Sequence, residues 1–288
     1  MVENNKQIKP IVLPKKLNVA ASQNIIDAYR ESLGFNGAVM FDFSNVTWAE
    51  PIGLTIISTA INRCLLSKKS TYYAPPKNDR FREYLKDMGF DNLFLNGENY
   101  FCRSTSLALR RFISFDPGYV ESLVLLVENA MNLSETEKDH VNFYINELLT
   151  NCIDHSVSPI GCYICAQWHP QINEIRISVA DAGIGIKESL NRYKKYGKFK
   201  SDEEAILKAI EEGVTTRKSH GGLGLSNVKR FLALNRGTLT IMSGTSKVNF
   251  YYNKIERKTH SSAIDGTVVD IRMFRGKTLS PKTRTFFS

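Results

Sequence analysis

Asp181-Ala182-Gly183-Ile184-Gly185-Ile186, reached at the end of the run Ile175–Ala180, decides how this sequence is read. A carboxylate at a strand end followed by two glycines suits a ligand that comes close to the backbone, because glycine carries no side chain to stand in the way. The preceding run alternates Ile175, Ile177 and Val179 with Arg176 and Ser178, the period-two pattern of a half-buried strand. Upstream, Ser134 and Glu137 have the spacing of a capping box and predict a long helix through VNFYINELLTNCIDHS. Val141, Ile145, Leu148, Leu149 and Cys152 form its apolar face. Glu147, Asn151, Asp154 and His155, at i, i+4, i+7 and i+8, share the opposite one. Downstream, Gly221-Gly222-Leu223-Gly224-Leu225 feeds a helix beginning near Ser226, and a glycine-rich loop at a helix N-terminus offers free backbone N–H groups to phosphate.

Each signal is weak alone; their order and spacing are not. Asp181 follows Asn151 by 30 residues and Gly222 follows Asp181 by 41. A helix with polar Glu and Asn, a strand ending in Asp-x-Gly-x-Gly, a variable lid and a Gly-Leu-Gly-Leu loop together resemble the GHKL ATPases. That superfamily includes DNA gyrase, heat-shock chaperones, sensor histidine kinases and mismatch-repair ATPases. The resemblance covers residues 119–274. It implies an α/β sandwich with a mixed sheet and helices on one face, and ATP with Mg²⁺ as cofactors.

The resemblance also assigns roles. Glu147 is similar to the general base that activates water, and Asn151 to the asparagine whose side-chain oxygen holds Mg²⁺. Asp181 is similar to the acceptor of the adenine amino group, with Gly183 and Gly185 leaving room for the base. Gly222, Leu223 and Gly224 would bring backbone amides to the phosphates. Glu188 to His220 corresponds to the ATP lid, with a lysine cluster at Lys194, Lys195, Lys198 and Lys200 and a capped helix from Ser201; Arg217 and Lys218 are placed to meet the phosphate end. His220 departs from the pattern, since many relatives carry glycine there. Glu147 also reads as a solvated helix residue, and the lid lysines as solvated charge. Asp154 either orients the site or lies outside it, and His155 reads equally as structural or catalytic. The motif Glu147-x-x-Thr150-Asn151-x-x-x-His155 is similar to the N-box of anti-sigma serine kinases.

Residues 8–95 read as a separate small α/β unit. Ala38–Phe43 suits a buried strand, Leu54, Ile57, Ala60, Ile61 and Leu65 recur at helical spacing, and Thr71–Ala74 is a strand stopped by Pro75-Pro76. Arg80–Met88 is helical and ends at Gly89, a left-handed cap. MFDFSNVTWAEPIGLTIISTAINRC followed by REYLKDMGFDNLF resembles a STAS domain, the fold of anti-anti-sigma factors. That family carries a phosphorylatable Ser or Thr after an Asp; this chain has Glu50-Pro51, and proline has no hydroxyl. The resemblance then implies a docking platform without the phosphoacceptor. Residues 96–118 read as a connector with a strand across Leu107 to Ile113, and 275–288 as a solvated basic tail.

The whole chain has 288 residues and a formal net charge of +9, with 42% hydrophobic residues, enough for real cores. No stretch reaches the about 18 to 20 apolar residues of a membrane-spanning helix, and the N-terminal residues lack a secretory core. Five scattered cysteines predict reduced thiols and a cytoplasmic location. Cys162 and Cys165, three apart on a strand, would face opposite ways and so read as buried thiols rather than a metal pair.

Three functions stand as expectations. The first is a Mg-ATP-dependent regulatory switch with slow hydrolysis, acting on a protein partner. The second is an anti-sigma-type serine/threonine kinase acting on a STAS-domain protein. The third is a non-hydrolysing, nucleotide-responsive binding module. A homodimer is compatible with all three, and the absence of a nucleic-acid motif argues against nucleic acid as the partner.

Overall fold

The computed structural model describes residues 7–94, 104–214, 224–234 and 236–276. The first part of the chain runs through β1 (Ile8–Val12), β2 (Lys16–Leu17), α1 (Ser22–Gly34), β3 (Ala38–Asp42), β4 (Trp48–Ala49), α2 (Pro51–Leu66), β5 (Thr71–Ala74) and α3 (Asp79–Asp87). Strands β1, β3 and β5 pair in parallel in that order, and β2 pairs with β4. Helix α3 starts on Asn78, whose side chain accepts from the Phe81 N–H, and the chain turns at Gly89 with φ 70°, the left-handed stop that the sequence predicts.

The second part runs through β6 (Ser106–Phe112), α4 (Pro117–Met131), α5 (Glu135–Thr150), a π-helical turn at Asn151–His155, β7 (Cys162–His169), β8 (Glu174–Asp181), α6 (Gly185–Arg192), α7 (Asp202–Ala209), α8 (Gly224–Leu234), β9 (Thr238–Phe250) and β10 (Ile255–Phe274). The segment read as a connector supplies β6, the edge strand of a five-stranded sheet ordered β6-β7-β8-β10-β9. Helix α4 is additional to the sequence reading, although Asp116 caps it through the Tyr119 N–H and Pro117 opens it.

Every pairing in this sheet is antiparallel, not mixed as the resemblance implies. Short connections explain two of the four: a single 3₁₀ turn at Pro170–Ile172 joins β7 to β8, and a hairpin joins β9 to β10. Helices α4, α5, α7 and α8 do gather on one face. Val127, Ile145, Leu149, Ile206, Val228 and Leu232 meet Ile164, Ile177, Leu239 and Ile241 there in one apolar core.

The opposite face is covered too, by the N-terminal unit. A second core runs from Ile11, Phe41, Leu54, Ile57 and Ile61 to Tyr163, Cys165, Ala180, Met242 and Val268 without a break. Helix α2 lies inside it. All residues from Pro51 to Ile61 are buried, polar ones included, which is the pattern of a helix packed on more than one side. Leu65, expected on the apolar face, is instead exposed near the helix end. Gly53 marks a close approach, since a Cβ there would stand 2.5 Å from Leu17.

This covering corrects the reading of β8, which is buried at all eight positions rather than on one face. The alternating polar residues face α2 and find partners on it or on Glu50, its N-cap. Ser178 Oγ lies 2.9 Å from Thr55 Oγ1. Arg176 reaches Glu50 at 2.7 Å and Glu174 at 2.8 Å, while Arg272 reaches Glu50 at 2.6 Å and Asp270 at 3.2 Å. Burial pushes the Asp270 carboxyl up to about 7, with Arg272 pulling it back. A proton held there leaves two carboxylates facing two guanidiniums, a balanced set in a place where unpaired charge is costly.

Candidate functional site

The site grows from the junction of α5 and β8. The capping box opens α5 as predicted: Glu137 accepts from both the Ser134 N–H (2.9 Å) and the Ser134 hydroxyl (2.7 Å). Val141, Ile145, Leu148, Leu149 and Cys152 are all buried, as the apolar spacing requires. Glu147 and Asn151 are half-buried, one α-helical turn apart, and the Asn151 N–H donates to the carbonyls of Glu147 and Leu148.

The α-helix does not continue to His155. From Asn151 to His155 the backbone winds as a π-helix, closing i→i+5 bonds. The side chains of Asp154 and His155 lie outside the described residues. The chain then passes Val157, a β-branched residue at φ 52°, and returns as β7.

Asp181 closes β8 opposite Cys162 and is 4% exposed. Its Oδ1 accepts from the Gly183 N–H at 2.7 Å, the Thr267 N–H also donates to the carboxylate, and Oδ2 lies 4.0 Å from Cys152 Sγ. Burial pushes this carboxyl up to about 7, and the two backbone N–H groups only partly pull it back. The residue after Asn151 thus touches Asp181, and the helix and the strand end meet in one place.

The loop after Asp181 is tied to the turn that leaves α5. Ile184 N–H donates to Ser156 O (2.8 Å) and Ala182 N–H to Ser158 Oγ (3.2 Å). This gives the glycines a need of their own. A Cβ at Gly183 would fall inside contact distance of the Ser156 carbonyl, and one at Gly185 would stand 2.7 Å from Ser243 Oγ. The space at both is taken by the chain itself, not left open for a base. An open cleft of ≈ 330 Å³ lies beside this loop, lined by Gly183, Gly185, Ser243, Gly266 and, from α1, Arg30.

Ser201 caps α7 reciprocally with Glu204, as the spacing predicts, and Lys195, Lys198 and Lys200 stand exposed before it. Gly224 is the first residue of α8. Arg217, Lys218, His220, Gly222 and Leu223 lie outside the described residues, as does the side chain of Lys194. Cys162 and Cys165 are both buried and face opposite cores, Cys162 under the helices and Cys165 toward α2. Among the described residues no helix is long and apolar enough to cross a membrane.

An adenine nucleotide with Mg²⁺ fits the chemistry of this donor set. Asp181 is a buried acceptor with no cation among the groups that shift it, suited to an amino-group donor. Asn151 supplies the kind of neutral hard oxygen that Mg²⁺ accepts beside phosphates and water. Residues 136–274 match the family described as Histidine kinase-, DNA gyrase B-, and HSP90-like ATPase. A histidine kinase-like ATPase domain therefore occupies that stretch, which contains Glu147, Asn151 and Asp181. No curated protein matches the chain.

Proposed function

We propose that the chain binds Mg-ATP at Asn151 and Asp181 and works as a regulatory switch that a slow hydrolysis resets. One observation supports this above all. The Cys152 thiol lies 4.0 Å from the Asp181 carboxylate, so the residue after Asn151 and the acceptor at the end of β8 belong to one site, inside the stretch that matches an ATPase family.

In this reading Asp181 accepts the adenine amino group through the oxygen that Gly183 does not use. The Asn151 side-chain oxygen would hold Mg²⁺, which when bound neutralises phosphate charge. Glu147, one turn earlier on the same helix, takes the proton of the attacking water. The N-terminal unit, which we read as STAS-like, remains fixed during this cycle, because swinging it away would expose α2 on two sides. A protein partner then reads nucleotide occupancy from the helical side of the sheet. Steady-state turnover tests the assignment: Glu147→Ala retains ATP binding and loses phosphate release. Undiminished turnover by that variant rejects Glu147 as the base.

A second reading is favoured by the residues Glu147, Thr150, Asn151 and His155, whose spacing is similar to anti-sigma serine kinases. Phosphate would then pass to a hydroxyl on a separate STAS-domain protein, since Pro51 holds the phosphoacceptor place in this chain. Labelled ATP with candidate STAS proteins distinguishes the two: label on protein favours the kinase, and label released only as phosphate favours the switch. Binding with neither outcome supports the non-hydrolysing module.

A further inference from the structure

The strand β10 loses its ladder on β9 just where it approaches Asp181. Its register shifts between Thr259 and Ile264 and again between Ile264 and Thr267, so residues 260–266 form a bulged stretch that pairs with β9 only at Ile264, opposite Gly244. The N-terminal unit supplies side-chain contacts along the rest. Along α1, Ser22 meets His260 (3.0 Å), Gln23 bonds Ser261 through both its Nε2 (2.7 Å) and its Oε1 (3.0 Å), and Asp27 accepts from Ser262 (2.7 Å).

The contacts converge on Asp265. Arg30 donates through Nε to the Ala263 carbonyl and through Nη2 to Asp265 at 2.7 Å. The Tyr29 hydroxyl donates to the same carboxylate at 3.1 Å, and Arg63 of α2 stands 3.6 Å away. Tyr29 is fully buried, so its hydroxyl is held in place by the core around its ring.

Gly266, the next residue along β10, rests on the candidate nucleotide loop. It has φ 75°, and a Cβ on it would fall inside contact distance of Asp181 and stand 2.6 Å from the Gly183 nitrogen. Its carbonyl accepts from Ser243 Oγ (2.9 Å), which in turn accepts from the Ile186 N–H (3.0 Å). The N–H of Thr267 then donates to Asp181.

We propose that Arg30 and Tyr29 of the N-terminal unit are positioning residues of the nucleotide site, acting through Asp265 to hold Gly266 and Thr267 against Asp181. This rests on the reading of Asp181 as the adenine acceptor. An aspartate that selects adenine must hold its acceptor oxygen aimed at the base; of its two backbone restraints, Thr267 lies on the segment pinned this way and Gly183 packs against Gly266 of that segment. The N-terminal unit is then part of the base-recognition machinery and not only a platform for partners.

The test is calorimetric titration of the full chain with Mg-ATP and with Mg-GTP, for wild type, Arg30→Ala, Asp265→Asn and Tyr29→Phe. If wild type does not bind Mg-ATP, the functional reading itself fails, and the variants need not be made. If it binds, the proposal expects Arg30→Ala and Asp265→Asn to weaken ATP about tenfold, the value of one charged hydrogen bond. Tyr29→Phe should weaken it less. All three should narrow the preference for ATP over GTP, whatever they do to the thermal midpoint of the ligand-free protein. That narrowing is a change a purely structural role would not produce. Should Asp265→Asn fail to fold, Arg30→Ala and Tyr29→Phe carry the test. ATP affinity and ATP-to-GTP preference within twofold of wild type in these variants overturns the proposal.

Discussion

The two faces of the five-stranded sheet treat polar residues in opposite ways. On the face covered by α2, buried polar groups pair across from one unit to the other: Thr55 with Ser178, and Glu50 with Arg176 and Arg272. On the helical side, at the end of β8, Asp181 is as deeply buried but meets only backbone N–H groups and a thiol. The first arrangement is closed on itself and joins two units. The second keeps acceptor capacity in reserve at a held position, which is what a recognition site needs and a stable core does not.

The largest expected effect breaks the closed face. Glu50→Ala leaves Arg176 and Arg272 buried with one carboxylate fewer, and should lower stability by about 3 to 5 kcal/mol in denaturant unfolding, the usual consequence of breaking a buried pair. Both units should be lost in one transition, since they share a core. A loss below about 1 kcal/mol, the range of a solvated pair, would show that this cluster does not join them.

The next effect concerns Asp181, whose carboxyl is raised from 3.8 to about 7. The folded protein holds a proton that the unfolded chain releases near pH 4, so the associated stability is present at low pH and fades as pH rises through about 7. Asp181→Asn removes that fading. Relative to the variant, wild type should lose up to about 4 kcal/mol between pH 4 and pH 8. ATP binding, which favours the ionised acceptor, should strengthen over pH 6 to 8 and release protons. Parallel stability curves for the two proteins would contradict the burial argument. His169 and His260, both pushed down to about 4 by burial, act in the opposite sense: their neutral forms favour folding above pH 6.5, and that stability is lost as pH falls toward 4.

The smallest effect sharpens the contrast. Thr55→Val or Ser178→Ala alone leaves a buried hydroxyl with one partner fewer and should cost about 1 to 3 kcal/mol. The double variant should cost clearly less than the sum of the two. Additive losses would mean that the hydroxyls do not depend on each other.

Much of this was legible in the sequence. The capping box, Gly89, β5 before its prolines and the apolar stripe of α5 follow from local rules, because each depends on residues a few places apart. Helix α4 was equally legible from Asp116-Pro117, yet the same residues also spell a turn. The burial of β8 on both faces was not. Arg176 and Ser178 look solvent-facing in an alternating strand, and nothing near them in the chain announces Glu50 and Thr55, more than 100 residues earlier, as partners. The hold of α1 on the β10 bulge is hidden for the same reason. The change from α to π winding at Asn151 left no local signal either.

The most direct measurement is calorimetry of the purified full chain with ATP, in the presence and absence of Mg²⁺, beside Asn151→Ala. The account predicts saturable heat for wild type that strengthens with the metal, and a variant that folds normally but no longer responds to it. No heat from wild type at millimolar ATP, or an unchanged metal-dependent response after Asn151→Ala, contradicts it.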